Sequence, residues 1–216
     1  MEPSIEIDIP VKEPPLKLSR AQRAALSDER LIRAALELIA ESGIESVTLR
    51  GIGERAGYSR GLVNYRFGTK EALLRAAAGH LLRRWSDEVM LPAVGDKVGL
   101  AALREMVSEY VKVLRSPEPS AKAYHTLVYA ALGPIPQLRA ELMQLHQELR
   151  ERIAEWIRKG IERGEIRADV DPLDEAAIFH GAMRGIGHQW MLDPDSVDLD
   201  RAYKALVDGL ERALHA

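Results

Sequence analysis

The sequence predicts an all-α chain, and three observations carry that expectation. Apolar residues recur at three- and four-residue spacing along most of the 216 residues, which is the period of a helix with one buried face. No stretch of any length alternates apolar and polar residues as a half-buried strand would. Residues that start or stop helices stand at the joints between the periodic stretches. The expected layout is an arm at 1–26, a three-helix unit with a helix-turn-helix at 27–72, and a larger helical domain at 73–216.

Taken in order, the arm contains Pro3, Pro10, Pro14 and Pro15 among alternating Ile and acidic residues. Prolines so close together prevent a helix, and the few apolar side chains bury too little surface to offset ordering entropy. Lys17, Arg20 and Arg23 at its end suit a minor groove or a phosphate, with a solvated tail as the plainer reading. From Ser27, a natural cap, Asp28 and Glu29 favour the positive end of a helix dipole. Leu31, Ala35, Leu38 and Ile39 then line a buried stripe until Gly43 stops it. A brace of this kind is needed, because a pair of short helices alone buries too little to hold its shape.

Thr48 caps the next helix, Leu49–Ala56, whose apolar positions are Leu49, Ile52 and Ala56. Gly57 ends it, since glycine enters the left-handed region without steric penalty, and Ser59 caps a second short helix. Leu62, Val63 and Phe67 are available for packing, leaving Arg60, Gly61, Asn64, Tyr65 and Arg66 nearer the open side. A short polar, cationic helix suits a major groove, where Arg pairs with guanine and Asn with adenine, each good pair discriminating by ~1–3 kcal/mol. Gly61 lets the backbone come close. Thr69 caps a further helix beginning at Lys70 and Glu71, and Lys70 beside that N-terminus is placed for a phosphate. Residues 43–70 carry Arg50, Arg55, Arg60, Arg66 and Lys70 against Glu45 and Glu54, a local balance of plus three in a chain whose total is −3.

This stretch resembles the TetR family of bacterial transcriptional regulators. The resemblance rests on Thr48, Ile52-Gly53, Ala56-Gly57, Ser59-Arg60-Gly61, Tyr65-Arg66-Phe67 and Thr69-Lys70-Glu71, and it is strong over about residues 28–80. Three positions depart from the family pattern: Gly53 where Ala is usual, Asn64 where a Tyr usually touches phosphate, and Arg66 for a His or Tyr. All keep hydrogen-bonding capacity, so they bear on which operator is read. The implied interface comprises Thr48, Arg50, Ser59, Arg60, Gly61, Asn64, Tyr65, Arg66 and Lys70. Arg50 and Arg60, then Asn64, are the candidates for base edges; Thr48, Tyr65, Arg66 and Lys70 are the candidates for phosphates.

Glu71 to about Trp85 continues as a helix that starts at the DNA and ends beside the larger domain, a natural lever, with a break at Leu91–Gly95. Helices follow at Gly99–Arg115 and Ser120–Leu132, then a spine from Pro136 to about Gly164 with Leu138, Leu142, Leu145, Leu149, Ile153, Trp156 and Ile157 at heptad-like spacing. Pro172–Leu192 and Leu199–Leu214 close the chain. Gly181, Gly185 and Gly187 weaken the first of these unless a neighbour packs closely on it. The TetR resemblance implies that these two helices pair with their symmetry mates in a homodimer, and Gly164–Ala177 resembles the choline-responsive repressor branch.

The histidines form no i, i+4 pair with a carboxylate set, so no metal is expected, and no phosphate loop or nucleophile elbow implies a cofactor or catalysis. The absence of cysteine agrees with a reducing cytoplasm, and no run of about 18 apolar residues suggests a membrane. Met106, Tyr110, Tyr124, Trp156, His180 and Met183 are candidates to line an effector cavity, though helical spacing suits ordinary core as well. Residues 71–216 hold 19 basic against 23 acidic residues, which disfavours a general nucleic-acid coat. The expected function is a homodimeric, ligand-responsive regulator, in the simplest case a repressor, that binds a double-stranded palindromic operator and is released by a small-molecule effector. The alternative is a helical carrier or enzyme in which the helix pair is only structural.

Overall fold

The computed structural model describes residues 19–216, and all of its regular elements are helices apart from one isolated bridge between Ile166 and His215. Lys17 and most of the expected arm lie outside the described residues. The first helix, α1 (Arg20–Ser46), begins seven residues before the expected start. Ser19 and Gln22 form a capping box there, and the run that follows, from Arg20 to Leu26, is made of good helix formers. Arg20 and Arg23 are therefore helical, and Ser27 is an interior residue whose hydroxyl donates to the Ala24 carbonyl at 2.7 Å. Gly43 (φ 76°) kinks the helix one turn before its end.

The next three helices, α2 (Leu49–Ala56), α3 (Arg60–Phe67) and α4 (Lys70–Arg84), are each capped by the expected hydroxyl, from Thr48, Ser59 and Thr69. The chain then stays helical where a break is expected. A π-helical turn, Trp85–Met90, leads into α5 (Leu91–Val94), and Gly95 (φ 54°) ends the run. Pro92 lies directly after the π-helical turn, at the second position of α5. Four longer helices and one of eleven residues follow: α6 (Gly99–Arg115), α7 (Ser120–Ala130), α8 (Pro136–Glu162), α9 (Pro172–Leu192) and α10 (Leu199–Leu214).

Two apolar clusters hold these elements. One joins α1–α4 to Ala123 and Leu127 of α7 and to Leu138, Leu142 and Leu145 in the first half of α8. The other packs Trp85, Met90 and α6 against Leu149, Ile153, Trp156 and Ile157 of α8 and against α9 and α10. The spine helix thus supplies one stripe to both cores, each fully buried Leu or Ile contributing ~1.5–3 kcal/mol. Near its end α8 crosses α6 so closely that a Cβ at Gly160 would stand 2.9 Å from the Gly99 Cα.

Candidate nucleic-acid interface and interior cavity

The α2–α3 corner is set by local bonds. Gly57 (φ 75°) turns the chain, Tyr58 N–H donates to the Gly53 carbonyl at 2.8 Å, and Ser59 Oγ accepts from Leu62 N–H at 3.2 Å. A Cβ at Gly53 would lie 2.8 Å from the Tyr58 carbonyl and 3.2 Å from Val63 Cγ2. This accounts for the departure from Ala: α3 crosses α2 almost on its backbone. Ile52 and Val63, both fully buried, seal the contact.

With Val63 inward, the residues at 60, 61, 64 and 65 fall on one outward stripe. Arg60, Gly61 and Asn64 are exposed, and Tyr65 is 77 % exposed, so this apolar ring has no neighbour to cover it. Thr48 and Ser59 are exposed too, and each uses its oxygen as a cap acceptor, which leaves the O–H free to donate. Lys70 Nζ reaches back 3.3 Å to the Glu45 carbonyl. Arg50 is exposed and pairs with Glu54 one turn away at 2.8 Å. Such surface pairs are worth ~0.3–0.5 kcal/mol, so a phosphate or base can readily displace the partner.

Arg66 differs from the expectation. It lies three residues from buried Val63, so it faces the protein: its Nε donates to Asp28 Oδ1 at 2.6 Å and a terminal nitrogen to the Ala24 carbonyl at 3.0 Å. It braces α3 on α1 and is withdrawn from the open face. Arg55 is engaged as well, with Glu41 at 2.7 Å and Glu37 at 3.3 Å. The plus-three count over 43–70 therefore overstates the free charge, because three of its five cations meet carboxylates that lie mostly outside that window.

Between α4, the π-helical turn, α6, α7 and α9 lies a cavity of about 50 Å³. Tyr110 and Tyr124 are among the residues that line it. Met106 and Met183 are fully buried and Trp156 is packed against the core, so none of the three reaches the cavity wall. Their helical spacing marks core, with no gap left beside them. His180 is buried just behind the wall, where its Nε2 accepts from Arg184 Nε at 3.3 Å.

Sequence reasoning misses Trp85, His125 and above all Arg184, all of which line the cavity. The available signal was a lone cation between Met183 and Gly185 in an otherwise apolar stretch of α9. The guanidinium carbon stands 4.0 Å from the Tyr124 ring centre, 4.8 Å from Tyr110 and 5.8 Å from Trp85. Around it, Tyr110 and Tyr124 hydroxyls bond His125 and His146 at 3.1 and 2.6 Å. Burial, and then the charge of Arg184, pushes His125 down to about 3, His146 to about 4 and His180 to about 2. All three imidazoles are neutral at pH 7.

On the outer side of α9, Ile178 and Leu192 are exposed, and added Cβ atoms at Gly181 and Gly185 would meet open space. Gly187 faces the other way, where an added Cβ would stand 3.0 Å from Leu114 and Tyr110 atoms, so the three glycines serve two different packings. Among the described residues no group of His, Cys, Asp and Glu could hold a metal, and no helix is long and apolar enough to cross a membrane.

Residues 31–77 match the bacterial regulatory proteins of the tetR family, and residues 99–215 match the C-terminal domain of BetI-type transcriptional repressors. The regulator SrpR of Pseudomonas putida is 23% identical over 175 residues, 81% of this chain and 80% of that protein. BetI of Burkholderia mallei is 34% identical over 96 residues, 44% of this chain and 47% of that protein. Among solved structures, SmeT, the repressor of the Stenotrophomonas maltophilia multidrug efflux pump SmeDEF, is similar with a TM-score of 0.71 at 24% identity, covering 88% of this chain and 90% of its own. A regulator from Saccharomonospora viridis in complex with choline is similar with a TM-score of 0.74 at 20% identity, covering 89% and 99%.

Proposed function

We propose, from the premise that this chain belongs to the TetR family of bacterial regulatory proteins and carries a BetI-type C-terminal domain, that it is a homodimeric repressor whose hold on a palindromic operator is loosened by a small-molecule effector. A chain of this family is a transcriptional regulator and no enzyme. The observation that carries the reading is the outward stripe of α3, with Arg60, Asn64 and Tyr65 exposed and Gly61 between them. Arg60 and Asn64 read base edges; Thr48, Ser59, Tyr65 and Lys70 hold phosphates, and Arg50 joins either set once Glu54 is displaced.

Dimerisation uses the last two helices, and the uncovered Ile178, Gly181, Gly185 and Leu192 of α9 support this, since two such faces bury each other about a twofold axis. Two copies of α3 then enter successive major grooves roughly 34 Å apart. The α4–π–α5 run links the operator end at Lys70 to the cavity wall at Leu81, Leu82 and Trp85. An effector in the cavity has only to favour the wrong separation of the two reading helices by ~1–3 kcal/mol to lower occupancy five- to a hundredfold or so. The choline-bound neighbour supports a small molecule in this domain.

Fluorescence anisotropy with the DNA upstream of the gene, at several salt concentrations, tests the reading. Sequence-specific binding that weakens steeply with salt is expected. Binding that is absent, or that does not respond to salt, overturns it.

A further inference from the structure

The cavity holds a surplus of donors. Arg184 is charged at any pH the protein meets, yet its neighbours are three aromatic rings, the Nε2 of His180 and the Tyr110 hydroxyl, and among the described residues no carboxylate pairs with it. Trp85, in the same wall, has its Nε1–H buried with no acceptor among the described residues. A buried donor left without an acceptor is unfavourable, and a half-buried guanidinium with no carboxylate beside it keeps donors to spare for a ligand. The neutral imidazoles nearby supply no compensating negative charge.

We infer that this cavity takes a small organic carboxylate, gripped by the guanidinium of Arg184 with Trp85 Nε1 as a second donor. The inference names the effector class for the site proposed above and rests on that reading. A cationic ligand is excluded by occupancy: the box of Trp85, Tyr110 and Tyr124 suits an organic cation, but the chain's own guanidinium already fills it. A second positive charge there meets repulsion strengthened by the low local dielectric. A neutral apolar ligand leaves both donors unsatisfied.

The remaining wall, Leu81, Leu82, Val113 and Ala121 with Ser120 as its one hydroxyl, is mostly apolar and suits a hydrocarbon body. At about 50 Å³ the cavity has room for the carboxylate and a carbon or two, well below the ~300 Å³ at which ligand pockets usually begin. A longer body outgrows that space and bears on Leu81, Leu82 and Trp85, and those residues belong to α4 and the π-helical turn. A ligand in the cavity therefore touches the lever directly.

The test titrates the full chain, without DNA, with straight-chain carboxylates from acetate to decanoate, the matching alcohols and the matching alkyltrimethylammonium ions. Binding is read by tryptophan fluorescence, with Trp85→Phe locating the signal. At least one carboxylate is expected to bind tenfold or more tighter than its alcohol, as a hydrogen bond to a charged group implies (about 10- to 150-fold), and the ammonium ions least. Arg184→Met removes the carboxylate advantage without lowering the melting temperature of the unliganded protein. Should that variant fail to fold, Arg184→Lys keeps the charge, loses the two-pronged grip, and weakens the carboxylate by about tenfold. Absence of carboxylate binding, equal binding of an ammonium ion, or a preference that survives Arg184→Met overturns the inference. Since no DNA is present, a failed titration beside intact operator binding removes this inference alone.

Discussion

Arg66 and Asp28 lie 38 positions apart and meet at 2.6 Å, tying the C-terminal end of α3 to the third turn of α1. The link fixes the tilt of the reading helix against its brace. Its side chains are 24 % and 37 % exposed, so solvent screens the charge only in part, and the additional bond to the Ala24 carbonyl adds direction.

Arg66→Ala is therefore expected to destabilise the protein by about 1–2 kcal/mol, between the value of a surface pair and that of a charge-assisted bond. It should weaken binding to all DNA sequences alike. Denaturant unfolding and anisotropy with matched and scrambled operators measure the two effects. A change in sequence preference would return Arg66 to the open face.

Arg60→Ala and Asn64→Ala are expected to act in the opposite way, leaving unfolding unchanged and removing ~1–3 kcal/mol of preference for the matched base in each half-site. Lys70→Ala should lower affinity for every sequence and reduce the salt slope by about 0.9 per half-site. Equal slopes for the parent and Lys70→Ala would remove Lys70 from the phosphate set.

On α9, Ile178 is 60 % exposed in the single chain. Ile178→Glu should leave the melting of the subunit nearly unchanged. It places a charge on both sides of a twofold contact, where each lost apolar side chain is worth ~1.5–3 kcal/mol, so dimer dissociation is expected to rise a hundredfold or more. Sedimentation velocity at micromolar protein reads this directly, and an unaltered dimer would move the interface elsewhere.

Acid should destabilise the protein through the buried histidines. Their folded values are depressed, with His125 at about 3 and His146 at about 4, so below pH 6.5 the unfolded chain binds more protons than the folded one. The stability is fully present above pH 6.5 and is lost as the pH falls towards 4, by up to ~1.4 kcal/mol per pH unit for each histidine. Thermal melts between pH 7.5 and 5 follow the loss, and His146→Gln is expected to reduce the slope by about one proton.

How much of this was legible in the sequence depended on the range of the interaction. The caps at Thr48, Ser59 and Thr69 and the bounds of α9 and α10 are written within four residues of where they act, so reading them needs no fold. The start of α1 is the exception: its signal, the capping box of Ser19 and Gln22, lies within three residues, and placing the cap at Ser27 passed over it. The role of Arg66 was hidden because eight helical residues do not say which side meets a third helix. Arg184 escaped for the same reason. Its lack of an acidic partner is a property of five converging elements, and none of them reveals it alone.

The stripe of α8 that serves both apolar clusters limits how the molecule can be divided. Leu138, Leu142 and Leu145, with Ala123 and Leu127, close the floor beneath Leu31, Leu73 and Leu74. A chimera joined near Gly95 would leave that floor open to water, so transplanting the operator specificity onto another sensor requires Ser120 to Leu145 to travel with it. In this chain the unit of inheritance for DNA choice is larger than the segment that touches DNA.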